Sequence, residues 1–233
     1  LYNNFRITKS HSIRFLKYKN LSRRCFILAR KENRSLFDKI APVYGHFYNM
    51  QKKRYAEVAE KVSKEIDIAS YDTVIDVGCG TGALCSVLRE KGLSVTGVDP
   101  AEKMLDIAIK KTEGENIRFV KGSAVGRLPF ENDSFDVAIA SYVAHGMEKN
   151  ARKKLYAEMS RLAAKKVIIY DYNKKRAFFT SLVEWMEGGD YFHFIKDPED
   201  EMKNCISQMK ECFSEVKVID VDNRAAWYIC TPY

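Results

Sequence analysis

Seven residues, Asp76-Val77-Gly78-Cys79-Gly80-Thr81-Gly82, limit what this 233-residue chain can be more than any other segment. They follow an apolar, β-branched run, Thr73-Val74-Ile75, and precede a helix-like stretch from Ala83 to Lys91. Glycines let the backbone turn sharply and approach a ligand with no Cβ in the way. A strand, a glycine-rich turn and a helix in that order read as a nucleotide-cofactor loop, with Gly78, Cys79, Gly80 and Gly82 lining it. Gly78-x-Gly80-x-x-Ala83 also meets the relaxed dinucleotide fingerprint, and Asp99 follows at about the 20-residue spacing of a ribose-binding acid.

Two physical details separate the ligands such a loop could take. A dinucleotide presents its pyrophosphate, an anion that wants a helix N-terminus and backbone N–H groups rather than a carboxylate. S-adenosylmethionine (SAM) presents a zwitterionic methionyl group and a sulfonium, for which the acidic Asp76 beside the glycines is an asset. Asp99 closes the apolar run Ser94-Val95-Thr96-Gly97-Val98, where a carboxylate can accept from two vicinal ribose hydroxyls. Pro100 and Met104 would lie against the adenine. Met104 serves equally as core, since Met104, Leu105, Ala108 and Ile109 form one helical stripe.

From Thr73 onward short apolar strands alternate with amphipathic helices, the sign of a parallel sheet with crossover helices. Strands are expected at 73–77, 94–99, 117–121, 135–141 and 167–171, with helices at 83–91, 102–112 and 150–164 on both faces. Segments 215–221 and 225–230 read as two strands joined by Asp222-Asn223-Arg224. So short a connection makes a hairpin, and hence one antiparallel strand. The expected fold is α/β and Rossmann-like: a seven-stranded sheet, mostly parallel, with one antiparallel C-terminal strand. Residues 34–70 form an N-terminal cap, interrupted at Ala41-Pro42 and helical at 57–66, on a domain spanning 34–233. Residues 172–212 are expected to insert a substrate lid, with helices at 176–187 and 199–212 and the residues Glu184, Trp185, Tyr191, Phe192 and His193.

The net charge of +8 is local. Residues 1–31 hold nine Lys or Arg and no acid, which leaves 30 basic against 31 acidic residues in 32–233. Three readings of this basic extension (1–33) stand together: an arm for RNA or a membrane surface, an Arg-rich transit peptide, or sequence outside the functional protein. The six cysteines form no CxxC pair and no zinc-type spacing, which favours a reducing, cytoplasmic setting without a metal site. No apolar stretch reaches the roughly 20 residues of a membrane helix.

With these residues in place, the chain resembles the class I SAM-dependent methyltransferases, especially the branch with the ubiquinone and menaquinone C-methyltransferases. The resemblance rests on Asp76 to Gly82, on Val98-Asp99-Pro100, and on Leu128-Pro129-Phe130-Glu131-Asn132-Asp133-Ser134-Phe135-Asp136-Val137. Phe37-Asp38-Lys39-Ile40-Ala41-Pro42-Val43-Tyr44 is similar to the family's cap, and the resemblance implies that Tyr44 reaches the cofactor's amino-acid end. A third family motif, usually Gly-Asp-Ala, stands here as Gly122-Ser123-Ala124; Ser123 can still accept from adenine, though more weakly.

Methyl transfer needs the protein mainly to align the acceptor and, where required, remove its proton. Candidate acceptor-site residues are those at the carboxyl ends of strands: Ser141, Tyr142 and His145 after the fourth, Asp171 and Tyr172 after the fifth. His145 is the general-base candidate, because its ordinary pKa lies near working pH, and Tyr172 is the second catalytic candidate. The expected activity is SAM-dependent transfer to a small-molecule carbon, oxygen or nitrogen. Three alternatives stay open: an RNA-directed enzyme using the basic arm on nucleic acid, an NAD-linked oxidoreductase, and a SAM-binding protein without catalysis.

Overall fold

Apolar residues fall on both faces of each central strand, and the chain folds so as to cover both. The computed structural model describes residues 41, 45–145, 147–173, 198–223 and 225–233. In chain order these form α1 (45–61), β1 (Thr73–Val77), α2 (Ala83–Glu90), β2 (Ser94–Asp99), α3 (Glu102–Lys111), β3 (Arg118–Lys121) and β4 (Phe135–Ser141). They continue with α4 (Lys149–Leu162), β5 (Ala163–Tyr172), α5 (Pro198–Cys212), β6 (Glu215–Asp220) and β7 (Ala225–Thr231). The basic extension, Tyr44 and the expected lid residues from Glu184 to His193 lie outside the described residues.

The strands form one sheet in the order β3-β2-β1-β4-β5-β7-β6. β7 runs antiparallel to both neighbours, and the other pairings are parallel. Side chains alternate across a strand, so each face receives its own core. Ile75, Ala138, Val167 and Ile169 pack under Leu155 and Met159 of α4 and Met209 of α5. Val74, Ile139, Ile168 and Trp227 pack against Val58 of α1 and Leu84 and Leu88 of α2. The expected seven-stranded sheet with one antiparallel strand is present. That β7 lies between β5 and β6 follows from its pairing with both.

Boundaries shift where tertiary contacts outweigh local propensity. The helix expected to run through Ala164 ends at Leu162, because Ala163 is already paired with Phe135 of β4. β5 therefore begins four residues early. Lys165 reaches Asp136 at 2.8 Å and Lys166 reaches Thr231 Oγ1 at 2.8 Å, which holds this Lys-rich start in the sheet. α1 covers 45–61, not 57–66. Val62 and Ile66 keep their helical spacing because both are buried against α2 and β1, although the chain there is a turn.

The loop entering β4 is held from α4 by one ion pair. Glu158 is buried, accepts from the Leu128 N–H at 2.6 Å and pairs with Arg161 at 2.6 Å. Arg161 also donates to the Phe130 and Leu128 carbonyls at 2.8 and 3.3 Å. Truncating one partner of such a pair leaves a buried charge uncompensated. Arg161→Ala is expected to lower the unfolding free energy by roughly 2–4 kcal/mol in urea denaturation. Lys153→Ala, which removes an exposed pair with Glu211, should leave the midpoint in place.

Candidate active site

β1 is the hinge of the site because its neighbours continue to opposite sides, β2 and β3 one way, β4 and β5 the other. A crevice opens at such a reversal beyond the carboxyl ends of the strands. The chain leaves β1 by anchoring to β2: the N–H groups of Gly78 and Cys79 both donate to the Val98 carbonyl, at 2.7 and 3.0 Å. Gly78 has φ +78°, and a Cβ there would sit 2.5 Å from Cγ2 of Val143. Its missing side chain lets the loops after β1 and β4 touch. Gly80 has φ +52°, and a Cβ there would meet nothing within 4 Å among the described residues. This second glycine borders open space, the cradle a ligand needs.

Two carboxylates flank the cradle with different roles available to them. Asp76 is 1% exposed; its Oδ2 accepts from the Cys85 thiol at 3.2 Å, while Oδ1 has no hydrogen-bond partner among the described residues. Burial pushes its pKa up to about 7, the Cys85 hydrogen bond pulls it back, and the charge of Asp99 adds to the rise. A buried carboxyl oxygen without a donor is costly, and a cationic group beside it removes that cost. Asp99, also buried, accepts from the Gly80 N–H at 2.9 Å through Oδ2 and from the Ala101 N–H at 2.8 Å through Oδ1. A carboxylate offers about four acceptor sites, and these two backbone bonds fix the plane of this one.

The remaining expected cofactor residues divide by position. Cys79 and Gly82 belong to the loop itself, Cys79 with its thiol buried and Gly82 at φ +79° against Ala108 and Phe119. Pro100 is exposed directly after Asp99. Met104 is buried with Ala101 and Ala41. After β3, Ser123 is half-buried and its carbonyl accepts from the Gly126 N–H at 3.0 Å. Ala124 is buried in the core beneath α4.

The expected acceptor-site residues gather at the ends of β4 and β5. Ser141 Oγ donates to the Tyr55 hydroxyl at 3.0 Å, bringing α1 over the sheet. Burial pushes the Tyr55 phenol well above its ordinary range, so it remains a neutral hydroxyl at working pH. Tyr142 follows with φ +55°, a left-handed conformation uncommon for a bulky residue, and its ring lies 4.8 Å from that of Tyr170. His145 and Tyr172 stand edge to face, 4.8 Å between centroids. Among the described residues no cluster of three or more His, Cys, Asp and Glu could hold a metal ion.

Sequence reasoning singled out neither Tyr55 nor Gln51, which reaches Thr81 of the glycine loop at 3.3 Å. Both lie on the exposed-to-buried boundary of α1, and no local motif marks them. Asp171 was legible as the acid that ends β5; its pairing with His145 was not.

The chain is similar to known proteins in sequence and in fold. The family described as "Methyltransferase domain" matches residues 74–166. The demethylmenaquinone methyltransferase of Chlorobaculum tepidum is 34% identical over 130 residues, 53% of this chain and 52% of its own length. The chain thus spans about half the length of such relatives. An uncharacterized methyltransferase of Staphylococcus carnosus is 23% identical over 82% of this chain and 95% of its own. Among solved structures, the PH0226 protein of Pyrococcus horikoshii superposes with a TM-score of 0.61 at 20% identity, covering 78% of this chain and 90% of that one. A putative SAM-dependent methyltransferase of Methanococcus maripaludis gives 0.58 at 18% identity, over 83% and 92%. Residues 74–166 thus match a methyltransferase domain, and the fold is the one these solved structures share.

Proposed function

We propose that this protein transfers the methyl group of SAM to a small-molecule carbon, oxygen or nitrogen nucleophile held at the carboxyl ends of β4 and β5. The observation that carries the donor half is the buried Asp76 oxygen without a partner, beside a glycine whose missing side chain faces open space. Asp76 and the loop from Gly78 to Gly82 would hold the methionyl end. Asp99 would accept from the ribose hydroxyls, with Pro100, Met104, Ser123 and Ala124 toward the adenine and Ser141 toward the methionyl end. An unpaired carboxylate at this point opposes a pyrophosphate, which weighs against the NAD-linked reading. Bound SAM supplies a methyl group on a sulfonium, an electrophile that needs no metal from the protein.

The acceptor half rests on His145 and Tyr172, with His145 as the general base. Relatives named demethylmenaquinone methyltransferases take, by that name, a small molecule. The setting we infer is cytoplasmic: the described cysteines are free thiols, and four of the five are buried. No described helix is long and apolar enough to cross a membrane. Incubating the protein with metabolite extract and methyl-labelled SAM, followed by mass spectrometry, tests the activity; label in a low-mass product is the expected result, and label only in RNA or nowhere counts against it.

Gly80→Ala separates cofactor from fold. The added Cβ meets no protein atom, so the cost to stability is about 1–2 kcal/mol from the left-handed backbone. SAM affinity measured by calorimetry should nevertheless drop by on the order of 10-fold or more, and Asp99→Ala should do the same by removing charge-assisted hydrogen bonds.

Asp76 gives a pH signature. Its folded-state pKa is raised above the unfolded value, so the native state holds the proton more tightly than the unfolded chain. Stability from this group is full below the ordinary carboxyl pKa of about 4 and is lost as pH rises toward about 7. The loss in the ligand-free protein is on the order of 3–4 kcal/mol. Asp76→Asn should flatten the unfolding free energy between pH 5 and 8 relative to wild type, while weakening SAM; parallel pH profiles for the two proteins would contradict the assignment.

A further inference from the structure

The carboxylate of Asp171 spends all its visible capacity on one short segment. It is 4% exposed; Oδ2 accepts from the Ala144 and His145 N–H groups at 3.0 and 3.1 Å, and Oδ1 accepts from its neighbour Tyr172 N–H at 2.8 Å. Oδ1 also meets Nδ1 of the His145 ring at 2.9 Å. The His145 side chain is 12% exposed, with the rings of Tyr172 and Tyr142 edge-on to it at 4.8 and 6.3 Å. Asp171 therefore fixes the backbone that carries His145 and the imidazole itself, from the last turns of β5 onto the loop after β4.

That geometry has a chemical consequence. A carboxylate accepts and does not donate, so the ring nitrogen facing it must carry the hydrogen. A neutral imidazole has one N–H; with Nδ1 protonated, the basic lone pair is on Nε2. From this we infer that Asp171 is a positioning residue for the reaction: it holds His145 in the Nδ1–H tautomer so that Nε2 takes a proton from the methyl acceptor. The inference rests on the proposed methyl transfer and adds to it that the acceptor reacts from a bond to hydrogen that His145 breaks. The proton moves to Nε2 and the electron pair of the broken bond remains with the acceptor. The methyl carbon of SAM bonds to that pair as its bond to sulfur breaks, with those electrons left on sulfur. The imidazolium then returns its proton to solvent. Asp171, hydrogen-bonded to Nδ1, stabilises the cation formed beside it.

The strained backbone of Tyr142 fits this arrangement. Its positive φ reverses the chain after β4, and its N–H donates to the Tyr170 carbonyl at 2.8 Å. The turn that follows delivers the Ala144 and His145 N–H groups to Asp171. Strain of this kind gathers at sites where the surrounding structure over-determines it.

Nitrogen-15 spectra of the histidine rings in the wild-type protein bound to S-adenosylhomocysteine read the tautomer directly, at a pH where the ring is neutral. His145, assigned by its absence in His145→Gln, should show a protonated Nδ1 and a bare Nε2; a protonated Nε2 overturns the inference whether or not any variant folds. Asp171→Asn should shift the ring toward the Nε2–H form, as an amide nitrogen now faces Nδ1. In the labelled-extract assay, His145→Gln should lower labelled product by on the order of 100-fold or more, and a loss under threefold overturns the role of the base. Calorimetry with S-adenosylhomocysteine keeps the two levels apart. Affinity within twofold of wild type in His145→Gln ties any loss to the acceptor step, whereas failure of the wild-type protein to bind it removes the methyltransferase reading itself.

Discussion

The site depends on how β1 sits between β2 and β4. Because Val77 is level with Val98 and Asp76 with Ile139, the three strands end together, and their outgoing loops share one edge. The two N–H groups that converge on the Val98 carbonyl pull the glycine turn toward β2, which brings Gly80 within hydrogen-bond reach of Asp99. On the other side Val143 fills the place where a Gly78 side chain would be. The loops proposed to hold the donor and the acceptor are thus joined through one residue without a Cβ. A change in the pairing register of β1 would separate them and would turn every core side chain of that strand to the wrong face.

Stability and the proposed function pull in opposite directions at Asp76. Hydrogen-bonded on one oxygen only and sealed from water, its carboxyl resists ionisation. A protein selected for stability alone would place an apolar residue there, since the position lies in a buried run with Val74, Ile75 and Val77. Its presence is understandable if a cation completes the site. Asp171 is the contrasting case: an equally buried carboxylate whose partners are all supplied by the protein, so that its charge organises a loop and a histidine instead of awaiting a ligand.

Much of the fold could be read from the chain because its signals are local. β1, β2 and β4 announce themselves as apolar runs closed by acids, glycines or serine, and the hairpin follows from a three-residue connection. Boundaries failed where the deciding contacts are distant in sequence: Ala163 looks helical and is drawn into β5 by Phe135. The glycine turn after β1 was legible because its signal lies in adjacent positions, three glycines and Asp76. The contribution of α1 was not, since Gln51 and Tyr55 meet Thr81 and Ser141 across 30 and 86 residues. His145 was visible as a candidate, but its partner became apparent only when β4 and β5 placed Asp171 beneath it.

The central claim is that the crevice between β2, β1 and β4 is built for a cationic sulfonium nucleoside and not for a dinucleotide. Equilibrium titration of the wild-type protein with SAM and with NAD, under identical conditions at a pH above 7, tests it most directly. The account predicts saturable binding of SAM at one site per chain and no saturable binding of NAD. Saturable NAD binding with none for SAM would contradict it.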